Sequence, residues 1–227
     1  RDSPNEQTAQ ELADQMGVDR TNVSRYLNEL TKDGTVKKID GRPVKFQVVT
    51  VSLEKHINFE NLIGRDESLK SQIQKSKAAI LYPPRGLHTI IFGETGTGKT
   101  MFAECMYRFA VSAKVLDDTA PFITFNCADY AQNPQLLYGH IFGVKRGAFT
   151  GAEETRTGLM EQADGGILFL DEIHRLPPEG QEMLFTFIDK GTFRSLGDGQ
   201  EKQASVQIIG ATTETSSMFL STFNRRI

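Results

Sequence analysis

The sequence predicts an α/β protein: a P-loop core on a parallel sheet, preceded by a small winged helix-turn-helix module. Three observations carry this. In "LHTIIFGETGTGKT" an apolar segment, Leu87 to Phe92, runs into a glycine-rich loop and then into the helical "MFAECMYRFAV". Further on, "GGILFLDEIHRL" sets a second apolar strand, Ile167 to Leu170, directly before two acids. Ahead of both, residues 1–50 pair two helical patterns with a basic hairpin.

The chain has 227 residues, of which 38% are hydrophobic and 24% charged, enough for one sizeable core and a smaller module. It holds neither the run of roughly 18 apolar residues that a membrane span needs nor a secretory leader, so a cytoplasmic protein without a membrane partner is expected. Cys105 and Cys127 are too few for a disulfide framework and lack metal-ligand spacing, so both read as small buried residues. The formal net charge is −3, but it is unevenly spread. Between Arg20 and Lys45 there are seven basic residues against three acids. Arg1 is not an initiator Met and "TFNRRI" ends without a cap or tail, so the sequence reads as a fragment.

In the first module, Thr8 with Glu11 three positions on makes a capping box. Leu12, Met16 and Val18 supply apolar contacts, and Gly17 ends the helix. Asp19 or Thr21 caps a second helix whose apolar side is Val23, Tyr26, Leu27 and Leu30. "TVKKI" and "VKFQVV", joined by "DGRP", form a two-stranded hairpin. In this layout the second helix enters the DNA major groove. Arg20, Thr21, Asn22, Ser24, Arg25 and Asn28 are its candidate contacts, with Lys37 and Arg42 on the wing. A winged helix packs three helices, so a further one is expected upstream of Arg1. Residues 51–65 read as a linker, and a helix starts near Asp66 or Ser68 and is closed by Pro83 and Pro84.

The loop Gly93-Glu94-Thr95-Gly96-Thr97-Gly98-Lys99-Thr100 fits G-x-x-x-x-G-K-[ST] between a strand and a helix. Its glycines let backbone N–H groups converge on phosphate oxygens at a helix N-terminus. Lys99 reaches the β- and γ-phosphates of ATP, and Thr100 offers a hydroxyl to Mg2+. Asp171 at a strand end holds the metal through water, and Glu172 polarises the attacking water. His174 reads as a partly exposed residue opening the next helix. "PFITFN" and "SVQIIGATT" supply two more strands.

"GVKRGAFTGAEE", Gly143 to Glu154, surrounds Phe149 and Thr150 with small residues and brackets them with charges. A ring at such a tip needs a partner. With "GETGTGKT", "FNCADY", "GAFTGAEETRTGLMEQADGGILFLDEI" and "GTFRSLGDG", the chain from about Phe59 onward resembles the AAA+ domain of sigma-54-dependent transcription activators, the bacterial enhancer-binding proteins. The N-terminal position of the helix-turn-helix resembles the levanase-regulator branch, in which phosphotransferase regulation domains follow the ATPase.

The resemblance implies an AAA+ core over 66–227 with five parallel strands and a helical lid. Four strands are legible, so the fifth strand and the lid are expected beyond Ile227, leaving weak nucleotide binding and poor hydrolysis. It further implies that Asn126 restrains Glu172 and that Phe149 and Thr150 contact the sigma factor on a loop with a hinged, solvated base. Ile63 and Gly64 would line the adenine pocket, and Arg225 or Arg226 would reach the neighbouring subunit's γ-phosphate. Thr213 departs from the family's usual Asn sensor.

The implied function is an ATP-driven ring, a hexamer in the intact protein, that binds DNA upstream of a promoter and remodels sigma-54 RNA polymerase at a sugar-utilisation operon. The alternative is a DNA-binding regulator whose P-loop domain is only a nucleotide-sensing switch. A chaperone or helicase loader has no use for GAFTGA.

Overall fold

The computed structural model describes residues 6–32, 36–41, 43–48 and 57–215. The chain divides into two compact units between His56 and Ile57. Arg42, Arg225, Arg226 and residues 51–56 of the predicted linker lie outside the described residues.

The first unit contains β1 (Glu6–Thr8), α1 (Ala9–Met16), α2 (Arg20–Lys32), β2 (Val36–Ile39) and β3 (Lys45–Val48). The capping box is formed: Glu11 N–H donates to Thr8 Oγ1 at 3.2 Å and Thr8 N–H to Glu11 Oε2 at 2.7 Å. Gly17, with φ 64°, closes α1 in the left-handed region. Asp19 caps α2, its Oδ1 accepting Thr21 N–H at 2.7 Å. Hydrogen bonding from Thr21 holds the Asp19 carboxyl below the usual carboxylate range.

The sheet order is β1-β3-β2, antiparallel, with β1 unforeseen in the sequence. Ala9, Ala13, Val23, Leu27, Val36 and Phe46 form the core. The apolar stripe predicted on the two helices is buried along only one side. Met16, Val18, Tyr26 and Leu30 are exposed and border an open apolar groove of about 730 Å³.

In the second unit β4 (Thr89–Phe92), β5 (Phe122–Asn126), β6 (Ile167–Asp171) and β9 (Gln207–Thr212) form a parallel sheet in the order β4-β9-β6-β5. Alternation along β6 feeds two cores. Ile167 and Phe169 pack with Ile73 and Ile80 of α3 (Lys70–Leu81) and Met106 of α4 (Lys99–Ser112). Leu168 and Leu170 pack with Leu137 and Ile141 of α5 (Pro134–Phe142) and Leu184 and Phe187 of α7 (Pro178–Lys190). A sheet covered on both faces explains the unbroken apolar run in its sequence. The short helix α6 (Leu159–Gln162) precedes β6, and β7 (Thr192–Phe193) pairs antiparallel with β8 (Lys202–Gln203).

The linker boundary is corrected. Phe59 and Leu62 are buried with α4, the Phe59 ring lying 5.4 Å from that of Phe102, so residues 57–65 belong to the second unit. An aromatic at 59 has enough apolar area to anchor the segment. Both cysteines are fully buried, and burial pushes the Cys127 thiol up to about 12 and the Cys105 thiol to about 11. Among the described residues no helix is long and apolar enough to cross a membrane.

Candidate functional site

Strand register builds the site. Phe92 lies opposite Thr212, Leu170 opposite Gly210, and Asn126 opposite Asp171. The four strands therefore end together, gathering Gly93, Thr213, Asp171, Glu172 and Asn126 along one edge of the sheet, where ligands of open α/β sheets bind.

Gly93 N–H donates to the Thr212 carbonyl at 3.1 Å, tying the loop's first residue to β9. The Glu94 carbonyl accepts the Thr97 hydroxyl at 2.8 Å, and Lys99 Nζ reaches the carbonyls of Gly93 at 2.9 Å and Glu94 at 3.0 Å. Lys99 is thus a cation curled over the loop it would share with phosphate oxygens. Gly96 (φ 79°) and Gly98 (φ 83°) occupy the left-handed region, where a side chain would be strained. Gly98 starts α4 without a side-chain cap, leaving the helix N-terminus to an anion. Glu94 to Thr97 and Thr100 are exposed.

A cleft of about 300 Å³ opens beside the loop, lined by Leu62, Leu69, Ile91, Lys99 and Phe102 among others. Leu62 lines this cleft, whereas Ile63 is 97% exposed and does not. The turn sets this difference: Leu62 is drawn into the core while Gly64, at φ 80°, reverses the chain and accepts Leu69 N–H at 2.9 Å. The sequence signal, an apolar pair before glycine, does not distinguish which of the two residues turns inward.

Asp171 ends β6, and its Oδ1 accepts Glu172 N–H at 3.0 Å. Glu172 has φ 49° and ψ 42°, unusual for a residue with a side chain. Strain of this kind, about 1–3 kcal/mol, persists only where the surroundings impose it and clusters at functional sites. Glu172 Oε2 lies 3.4 Å from His174 Nδ1 and 3.5 Å from Thr213 Oγ1. Asn126 uses its amide oxygen to accept Ala128 N–H at 3.0 Å.

His174 is the residue that sequence reasoning missed. Its side chain is only 5% exposed, and Nδ1 is 2.9 Å from Thr212 Oγ1. A histidine two residues past paired acids was the available signal; the 3₁₀ turn Ile173–Arg175 brings it back to them. Among the described residues no group of three or more His, Cys, Asp and Glu stands ready to hold a metal. A magnesium ion here would rest on Asp171, Thr100 and the nucleotide's own phosphates, a donor set that suits it.

The GAFTGA segment is knitted rather than hinged. Val144 and Arg156 exchange backbone hydrogen bonds at 3.0 and 2.8 Å. Lys145 N–H donates to Leu196 and Leu196 N–H to Gly143, both at 2.9 Å. Lys145 Nζ pairs with Asp198 at 2.9 Å and holds that carboxyl below its usual range. Nearer the tip, Gly147 N–H reaches the Ala152 carbonyl at 2.8 Å and Ala152 N–H the Phe149 carbonyl at 3.0 Å. Phe149 is half-buried beside a hollow of about 110 Å³ bordered by Leu136, His140 and Val144, and Thr150 is exposed. The expected hinge is therefore corrected, because backbone pairing with the distant Leu196 orders the base, while its flanking Lys145, Arg146, Glu153 and Glu154 are exposed to solvent as expected.

On α2, Arg20, Thr21, Asn22, Arg25 and Asn28 are exposed and Ser24 is half-buried, while Val23 and Leu27 are buried. The Arg25 guanidinium lies over the Tyr26 ring at 5.2 Å, and Lys37 is exposed on β2.

Residues 62–226 match the model of the Sigma-54 interaction domain, and residues 3–52 match that of the sugar-specific transcriptional regulator TrmB. The chain is 47% identical to the transcriptional regulatory protein LevR of Bacillus subtilis over 97% of its own length and 27% of that protein's. It is 45% identical to the transcriptional regulatory protein DagR of Salmonella typhimurium over 97% of the chain and 26% of the relative. It thus spans about a quarter of the length of these curated relatives. Among solved structures, NtrX from Brucella abortus in complex with ADP matches with a TM-score of 0.59 and 22% identity over 77% of this chain and 37% of that one. A single-residue mutant of Thermotoga maritima RuvB matches at 0.52 and 19% over 77% and 47%. These structural likenesses establish the P-loop AAA+ fold.

Proposed function

The chain belongs to the sigma-54 interaction domain family, as an activator of the LevR type, and from that premise we propose that it is the ATP-driven motor of a transcription regulator that acts on sigma-54 RNA polymerase. The observation that carries this reading is the edge of the sheet where the phosphate loop and the Asp171–Glu172 pair meet, with Glu172 in a strained conformation.

Lys99 and the loop N–H groups bind and orient the phosphates of ATP. Glu172 accepts a proton from the attacking water. Mg2+, held by Thr100 and Asp171, would supply charge neutralisation at the phosphate oxygens. Asn126 restrains Glu172, and Arg225 or Arg226 completes a neighbouring subunit's site, which requires a ring, a hexamer in the intact protein. Leu62, with Gly64 setting the turn, lines the adenine side of the cleft; Thr213 senses the nucleotide state. Phe149 and Thr150 grip the sigma factor. Residues 1–50 tether the ring to DNA upstream of the promoter through α2, and the match to a sugar-specific regulator model favours a sugar-utilisation operon.

The test is ATP turnover and promoter melting by the full-length protein against Glu172→Gln. The substitution is expected to lower turnover by about 100-fold or more while nucleotide binding persists. Unchanged promoter melting in that variant refutes the motor.

A further inference from the structure

We propose that His174 is a positioning residue for Glu172 and that, through Thr212, it couples the carboxylate to the phosphate loop. The inference rests on the ATPase reading above. Besides His174, the Glu172 carboxylate meets Thr213 Oγ1 at 3.5 Å, a long contact for holding it in one orientation. His174 Nδ1 stands 3.4 Å from Glu172 Oε2 and 2.9 Å from Thr212 Oγ1, so in the tautomer protonated at Nδ1 the ring faces hydroxyl and carboxylate together.

Thr212 is fully buried, and three segments meet on it. Its hydroxyl accepts Glu214 N–H at 3.0 Å and faces His174, while its carbonyl accepts Gly93 N–H at 3.1 Å. The first residue of the loop, the end of β9 and the turn after β6 are thereby joined by short polar contacts. Displacement of Gly93 when the loop closes on phosphate is carried through Thr212 and His174 to Glu172. A buried imidazole that served packing alone would be satisfied by Thr212; it would have no need of a second contact with the carboxylate.

The measurement is steady-state ATP hydrolysis by the full-length protein, with affinity for a fluorescent ATP analogue and the melting temperature in parallel. Loss of alignment in His174→Leu should lower kcat about tenfold with KM, analogue affinity and melting temperature unchanged. His174→Asn, whose amide offers a donor near the Nδ1 position, should recover most of that loss. Thr212→Val should behave like His174→Leu, the double variant should be no slower than either, and Thr212→Ser should stay close to wild type.

An unchanged kcat in His174→Leu, a loss matched by falls in affinity and melting temperature, or additive single losses overturns the proposal. If the wild type hydrolyses ATP and Glu172→Gln does not, the motor reading stands whatever His174 does. A wild type without turnover defeats both.

Discussion

His88 links two strands at the opposite end of the sheet from the phosphate loop. Its Nδ1 accepts Ile208 N–H at 3.0 Å, so the ring must be neutral, with its proton on Nε2. Burial pushes its pKa from 6.5 down to about 4. With the folded value depressed, the stabilisation is fully present above 6.5 and fades as pH falls from there toward 4. Urea unfolding of the chain should show a loss on the order of 3 kcal/mol across that window, and His88→Asn should flatten it. A second prediction at this scale concerns Gly166. A Cβ there would run into the Pro121 carbonyl, so Gly166→Ala should destabilise the second unit by about 1–3 kcal/mol in the same assay. Local chemistry was legible in sequence: the capping box of Thr8 and Glu11 forms as its spacing predicts. The placements of His174 and Leu62 were not, because they depend on a 3₁₀ turn and on which of two neighbouring apolar residues the core draws in.

Among the elements, the loop from Gly143 to Arg156 and the turn around Gly197 are fitted to each other. Gly197, at φ 72°, brings its backbone against Ala148, and a Cβ built there would lie 2.6 Å from Ala148 Cβ. Gly197→Ala should displace the loop, lowering sigma-dependent transcription severalfold with basal ATP turnover unchanged. Comparing reporter output with turnover in isolation checks this. The exposed face of α2 carries a different expectation. Arg25→Ala should weaken DNA binding by about 1–3 kcal/mol, measured by fluorescence anisotropy on the operator. The helices and hairpin of this unit were readable because caps and alternation are local. β1 was not: three residues paired through backbone hydrogen bonds leave no pattern in side chains. The loop base escaped for a similar reason, since its partner Leu196 lies far along the chain.

At the scale of the whole molecule, the four strands legible as apolar runs are the four strands of the parallel sheet, within two residues at either end. Their order is not a property of any one segment and came only from the structure. The division into two units was legible as well, but its boundary moved to Ile57 because Phe59 is part of a core.

Val144 bears on both Arg156 and Leu196, and Lys145 is pinned to Asp198. A load applied at Phe149 therefore spreads across three backbone segments at once instead of bending one. The arm is stiff at its root, so a load taken up at its tip is passed on to the body that carries it.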